Sequence, residues 1–413
     1  MKFRHIPTLL ILFCMGALLV LPVAAQDEAP SPLLGMLALV PDDAATQAGS
    51  LVVSYADYRV MEAMRGITNA PVLTLSGLQT EEAGLWLAAM NGLAGGIPMI
   101  NLPAYIREMP AQVGFAFADM DRTLIFGAPP SQGNLVGGDF DAQSIALAYT
   151  ARGFTDSMMG DVTVWCGPDG CEDGQKINIR DRNTGNPFGG DLGRNEPLAV
   201  LPGYVADSAD YSVVENVVGA YQGELPSLAD NPAYTALVDA AAASGQVAQM
   251  LVLDFNSIGV FESEFIPDLP AEFRAMIASY GPLPPYQAFA LADVWDGADQ
   301  EITLLMLVYP DAAQAEVAAT ELAQRLETAV SLIMRIPFAE VITERGGVIG
   351  APVVVAGESG YGVAVVPVVA AVPGNERQSG AVGYTPSGRV FQLFAQAIYS
   401  RDIYFIASEF SLP

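Results

Sequence analysis

Two uninterrupted apolar runs, ITLLMLVY at 302–309 and VAVVPVVAAVP at 363–373, set the tightest limit on what this chain can become. Each is too short to cross a bilayer as a helix, which takes about 20 apolar residues. Both read instead as buried strands. Shorter strand-like runs accompany them: SLVVSY (50–55), TLIFG (123–127), DVTVW (161–165), QKINIR (175–180), QVAQMLVLDF (246–255) and RDIYFIAS (401–408). Between the runs lie helical patterns with polar caps at their starts. Asp57 opens ADYRVMEAMRG, which Gly66 stops, and Thr80 opens TEEAGLWLAAMNGL. Asp141 and Asp311 each begin an Asp-Ala helix, and Asn-Pro opens NPAYTALVDAAAA at 231–243. An acceptor at that position satisfies the free amides of the first turn and suits the positive end of the helix dipole.

The order of these patterns suggests duplication. FAFADM (115–120) recurs as FALADV (289–294), and each copy runs on through a strand to an Asp-Ala helix. Both halves then read as strands, a helix and a final strand. The expected fold is therefore α+β. It has two similar units, each a mainly antiparallel sheet with helices packed on one face. The first unit spans 33–279, with its N-terminal helical segment packed on as a lid. YGPLPPYQ (280–287) is the linker, since its prolines block helix and ladder pairing. The second unit spans 288–413. Coincidence is the alternative, because Ala, Asp and Phe are common in this chain.

The N-terminus carries the marks of a secretory leader. Lys2, Arg4 and His5 precede an apolar stretch at 9–21, and Val23-Ala24-Ala25 places small residues before a cleavage point. An uncleaved anchor is the rival reading. With cleavage after Ala25, residues 26–32 form a polar mobile terminus and no membrane span remains. The mature protein then belongs in the periplasm or the cell exterior.

Export fixes the reading of the cysteines. Cys166 and Cys171 flank Gly-Pro-Asp-Gly, a turn sequence, with strand-like runs on either side. In an oxidising compartment they form a disulfide stapling a β-hairpin that projects from the first unit. A redox motif would place two residues between the thiols at a helix start, and here four intervene. Trp165, beside Cys166, is either an exposed anchor or a cover for the sulfur bridge. Trp86 and Met90, a helical turn apart, read as core.

Composition excludes much chemistry. The only histidine is His5, inside the leader. The remaining chain has no imidazole for a Ser-His-Asp or Cys-His relay, and GESGYG at 357–362 has no base for Ser359. Histidine-ligated zinc is excluded on the same ground. Lys176 is the only lysine beyond the leader, so Schiff-base chemistry would rest on it alone. The formal net charge of −28 repels nucleic acid.

Two other chemistries stay open. A carboxylate pair about 5–9 Å apart across a cleft would make an extracellular glycoside hydrolase. In the polar stretch after Cys171, Asp181, Asn183, Asp191 and Glu196 offer oxygens around a glycine turn, as calcium loops do. Glycine and glutamate are missing where an EF-hand wants them, and Arg180, Arg182 and Arg194 add opposing charge. The alternative there is a solvated loop held by Asx turns. No catalytic residue is assigned. The expected role is a secreted non-catalytic binding or surface-interaction protein for a protein, glycan or small molecule. The alternatives are the hydrolase and a calcium-dependent adhesion module.

Overall fold

The computed structural model describes residues 31–42, 52–68, 74–91, 93–95, 97, 99–254, 269–357, 360–375 and 384–408. The leader (1–25), residues 26–30 of the expected mobile terminus, and Ser359 lie outside the described residues. Ser31 and Pro32 are placed, and Pro32 begins a helix, α1 (Pro32–Leu37).

β1 (Val52–Asp57) follows. Asp57 ends it and caps α2 (Tyr58–Met64), its carboxylate accepting from the Val60 amide. Thr80 likewise caps α3 (Glu81–Met90), and α4 is Leu102–Val113. A hairpin of β2 (Met120–Phe126) and β3 (Gly133–Gly138) leads to α5 (Ala142–Ala151), capped by Asp141 as expected. Next come β4 (Thr155–Met159), β5 (Val162–Cys166), β6 (Leu198–Leu201) and β7 (Tyr204–Ser208). Helices α6 (Tyr211–Tyr221) and α7 (Pro232–Ala242) precede β8 (Gln246–Asp254). After α8 (Ala271–Ile277) come β9 (Ala288–Trp295), β10 (Gln300–Tyr309) and α9 (Ala312–Thr328), capped by Asp311. The chain closes with α10 (Phe338–Glu344), β11 (Gly347–Ile349), β12 (Val353–Ala356), β13 (Gly362–Ala371) and α11 (Arg389–Tyr399).

All thirteen strands join one sheet in the order β11-β13-β10-β9-β8-β1-β2-β3-β7-β6-β5-β4, with β12 also on β13. The strand pairings are antiparallel. Side chains alternate between its faces. Val53, Tyr55, Met250, Val252, Ala290, Ala292 and Met306 pack on one face against α1, α6 and α7. On the other, α2–α5 cover the β1–β7 side, and α8–α11 with residues 403–406 cover the β8–β13 side.

The described structure departs from several expectations. Helices lie on both faces of the sheet, not one. The runs in β9, β10 and β13 carry no polar face to offer water, so both sides must be covered. The sheet does not mark two units off from each other: β8 bonds β1 on one side and β9 on the other, and Ser31–Pro413 clusters as one compact body. Within 280–287, Leu283 and Tyr286 are buried, and the Tyr286 hydroxyl donates to the Ile406 carbonyl.

The N-terminal segment is no lid, because β1 sits in mid-sheet between β8 and β2. Nor does the stapled hairpin project. Cys166 and Cys171 are joined, with Cα atoms 4.5 Å apart, but QKINIR forms no return strand and 3-10 turns follow Cys171. β5 pairs with β4 and β6 inside the sheet, and Trp165 is buried against Tyr149. In the stretch at 172–183, Asn178 donates to Asp181 and Asn183 accepts from the Gly185 amide, so these side chains are used locally. RDIYFIAS also forms no strand. Its Tyr404–Ile406 turn is a buried 3-10 plug against α9 and α10. Trp86 and Met90 are core, as expected.

Candidate binding pocket

On the face covered by α2–α5, the sheet is left partly open over β2 and β3. A cavity of about 260 Å³ lies there, with Thr123, Ile125, Asn134 and Val136 as floor. One wall is formed by Gly95 and Ile97. The other is the 187–196 stretch, which follows the polar insert.

Each wall is built by specific contacts. The Gln249 side-chain oxygen accepts from the Ala94 amide at 2.8 Å, and Thr123 donates to the Gly95 carbonyl at 3.2 Å. Gly95 lies flat on β1: a Cβ there would stand 2.1 Å from Ser54 Oγ, so only glycine fits. Across the cavity, Asn186 holds Phe188 twice, accepting from its amide and donating to its carbonyl. The Phe188 ring packs on Phe115, with centroids 6.2 Å apart. The Gly189 and Gly193 turns then reverse the chain so that Arg194 donates its amide to the Gly189 carbonyl. A Cβ at Gly189 would strike Glu196 Oε1 at 2.4 Å, so this turn fixes where the Glu196 carboxyl can sit.

The charged groups come together at the back. Glu196 and Asp207 are both buried, and each influences the other's carboxyl. Burial is the first cause raising both carboxyls, and for Asp207 the neighbouring Glu196 raises it further. Two carboxyls side by side disfavour being ionised together. Asn134 Nδ2 donates to Asp207 Oδ2 at 3.1 Å, while Asp207 Oδ1 is buried with no hydrogen-bond partner among the described residues. Arg194 Nη1 reaches Glu196 Oε1 at only 3.4 Å, and its buried Nε has no acceptor among the described residues.

The four calcium candidates lie on neighbouring backbone, the Asn183 amide donating to the Gly190 carbonyl, and two of them line the cavity. Asp191 and Glu196 both line this cavity. Asp181 is exposed and accepts from Asn178 at 2.5 Å, and the Asn183 side chain is used in a turn, accepting from the Gly185 amide. Among the described residues, no group of three or more His, Cys, Asp or Glu side chains is placed to hold a metal.

A second buried carboxyl pair lies further along the same face. Asp293 on β9 and Glu301 on β10 are both raised by burial, Glu301 further by Asp293. Gln249 donates to Asp293 at 3.0 Å, and the Gly388 amide donates to Glu301 at 3.1 Å.

Sequence reading missed Arg194 as a binding group, counting it only as charge against calcium. It also missed Asp207 and Asn134. A legible signal existed for Asp207 and Asp293: each is an acid inside a strand whose neighbours are buried, in YVADS and FALADV. Such a residue must be protonated or paired.

No family model matches this chain, and no curated protein matches it. A solved structure titled "Structure of crystal form I of TP0453" aligns over 92% of this chain and 100% of its own, at 9% identity and a TM-score of 0.29. So slight a likeness carries no argument about fold or function.

Proposed function

We propose that the protein is an extracytoplasmic, non-catalytic binding protein whose small-molecule ligand occupies the cavity over β2 and β3. The observation that carries this reading is the cavity's composition. Apolar surface from Ile97, Ile125, Val136 and Phe188 meets a few convergent polar groups, Thr123, Asn134 and Arg194. That mixture is how ligand sites combine affinity with orientation. The disulfide supports an oxidising compartment, and no helix among the described residues is long and apolar enough to cross a membrane.

The topology also supports a relation between the halves. β1-β2-β3-β7 and β8-β9-β10-β13 each step outward from the β1/β8 pair through a hairpin and then a strand added after intervening helices. On this reading the cavity and the Asp293–Glu301 pair lie on the same face of the sheet, under the two helical groups.

A carboxylate hydrolase is the second reading, favoured by the position of Glu196 at the cavity wall. Its contact with Asp207 leaves none of the 5–9 Å spacing such chemistry uses. A fragment screen by ligand-observed NMR tests the first reading against Val136→Trp, which fills the floor. Hits lost in that variant support it. A screen whose hits are all indifferent to Val136→Trp overturns it, and turnover of glycosides abolished by Glu196→Gln would install the second.

A further inference from the structure

Resting on the reading of this cavity as a ligand site, we infer that its ligand is a small organic monocarboxylate with an apolar body, seated on the Arg194 guanidinium. Three features of the cavity lead there.

The first is an unmet donor. Arg194 is the only basic side chain among those lining the cavity, and its Nε is buried without an acceptor among the described residues. Its ion pair to Glu196 is long at 3.4 Å. A buried charged donor lacking an acceptor is destabilising, and a planar carboxylate meets the guanidinium fork with two parallel bonds. The side chain is 22% exposed, so a ligand carboxylate would meet the guanidinium through its exposed part rather than through the buried Nε.

The second is the charge count around that donor. Asp191 and Glu196 stand on the same wall. A dianionic phosphate would meet one guanidinium and at least one carboxylate, so repulsion favours an anion of single charge. The buried Asp207 beside Glu196 places a further acidic side chain behind that wall.

The third is the floor. Ile125 and Val136 in the floor, with Phe188 on the wall, give the ligand body an apolar bed, and Thr123 and Asn134 add polar groups to the same floor. At about 260 Å³ the space is below the usual range for drug-sized ligands, so the body is small.

Calorimetric titration of the full-length purified protein with benzoate, butyrate and glucuronate, each beside its uncharged amide, and with inorganic phosphate, decides the matter. The expected result is saturable binding of at least one carboxylate, at least tenfold tighter than its amide, with phosphate weaker. Arg194→Met should weaken that carboxylate at least tenfold, and Arg194→Lys should recover part of the loss. Should Arg194→Met fail to fold, the Arg194 Nε–H resonance in the unaltered protein replaces it, and benzoate or its rival carboxylates must shift that signal. Equal binding of acid and amide, preference for phosphate, or an unmoved Arg194 signal each overturns the carboxylate assignment. Uncharged compounds binding in a manner lost in Val136→Trp would do so while leaving the ligand site standing. Absence of binding by every class, with no Val136→Trp-sensitive fragment, overturns both.

Discussion

Arg325 is 1% exposed in its side chain, yet every arm of its guanidinium is engaged. Nε donates to Glu321 at 2.8 Å, Nη1 to the Ala407 and Phe405 carbonyls at 2.7 and 3.3 Å, and Nη2 to the Gly281 carbonyl at 2.5 Å. Its cationic face also lies over the Tyr280 ring, 5.2 Å from the centroid. One side chain therefore ties α9 to the proline-rich stretch before β9 and to the C-terminal plug. Arg325→Met would strand these carbonyls and the Glu321 charge in a dry site. The expected loss is about 3–5 kcal/mol in urea unfolding, the usual cost of removing one partner from a buried charged network. Arg325→Lys should recover little of it, because an ammonium cannot serve the same spread of acceptors.

At the scale of elements, the disulfide and the strand it follows divide the work unequally. Cys166 ends β5, whose pairing with β4 and β6 is independent of the sulfur bridge. The bridge closes a loop with a sequence separation of 5, already held by the Gly170 amide donating to the Gly167 carbonyl. So small a loop contributes about 2 kcal/mol by chain entropy. The double variant Cys166→Ser, Cys171→Ser should therefore remain folded, with urea stability reduced by about 2 kcal/mol or less. A larger loss would mean that the bridge also sets the path of the 187–196 wall.

At the scale of the molecule, the helical groups on one face meet over a polar seam. Ser387, just before α11, donates its amide to the Ala88 carbonyl in α3. Arg65, at the end of α2, donates to the Pro373 carbonyl. Beneath them, Glu301 faces Arg65 and Arg389, which favour its ionised form, while burial and Asp293 oppose it more strongly. Both carboxyls are raised, so the native state binds more protons than the unfolded chain above the usual carboxylate range. Stability from this pair is complete at low pH and is lost as pH rises through the native values. Each excess native proton costs about 1.4 kcal/mol per pH unit. Melting temperature should therefore fall between pH 5 and about pH 8, and Asp293→Asn should flatten that slope. A slope unchanged by Asp293→Asn would place its origin elsewhere.

Local chemistry wrote much of this into the chain. Asp57, Thr80, Asp141 and Asp311 cap the helices they precede because a cap needs only its next few amides. The runs at 302–309 and 363–373 form β10 and β13 because an apolar stretch of that length must be buried. The disulfide follows from a turn sequence and two nearby thiols. The sequence could not say which surfaces cover those strands: helices on both faces are a property of packing between distant segments. It could not reveal that RDIYFIAS, strand-like by composition, lacks a strand to pair with and plugs the α9–α10 layer instead. Nor could it show the cavity, which exists only where Gly95 and Ile97 stand opposite 187–196 across β2 and β3. Capping and burial are decided by neighbours along the chain, whereas Arg194, Glu196, Asp207 and Asn134 become one site only when strands far apart in sequence fall into register.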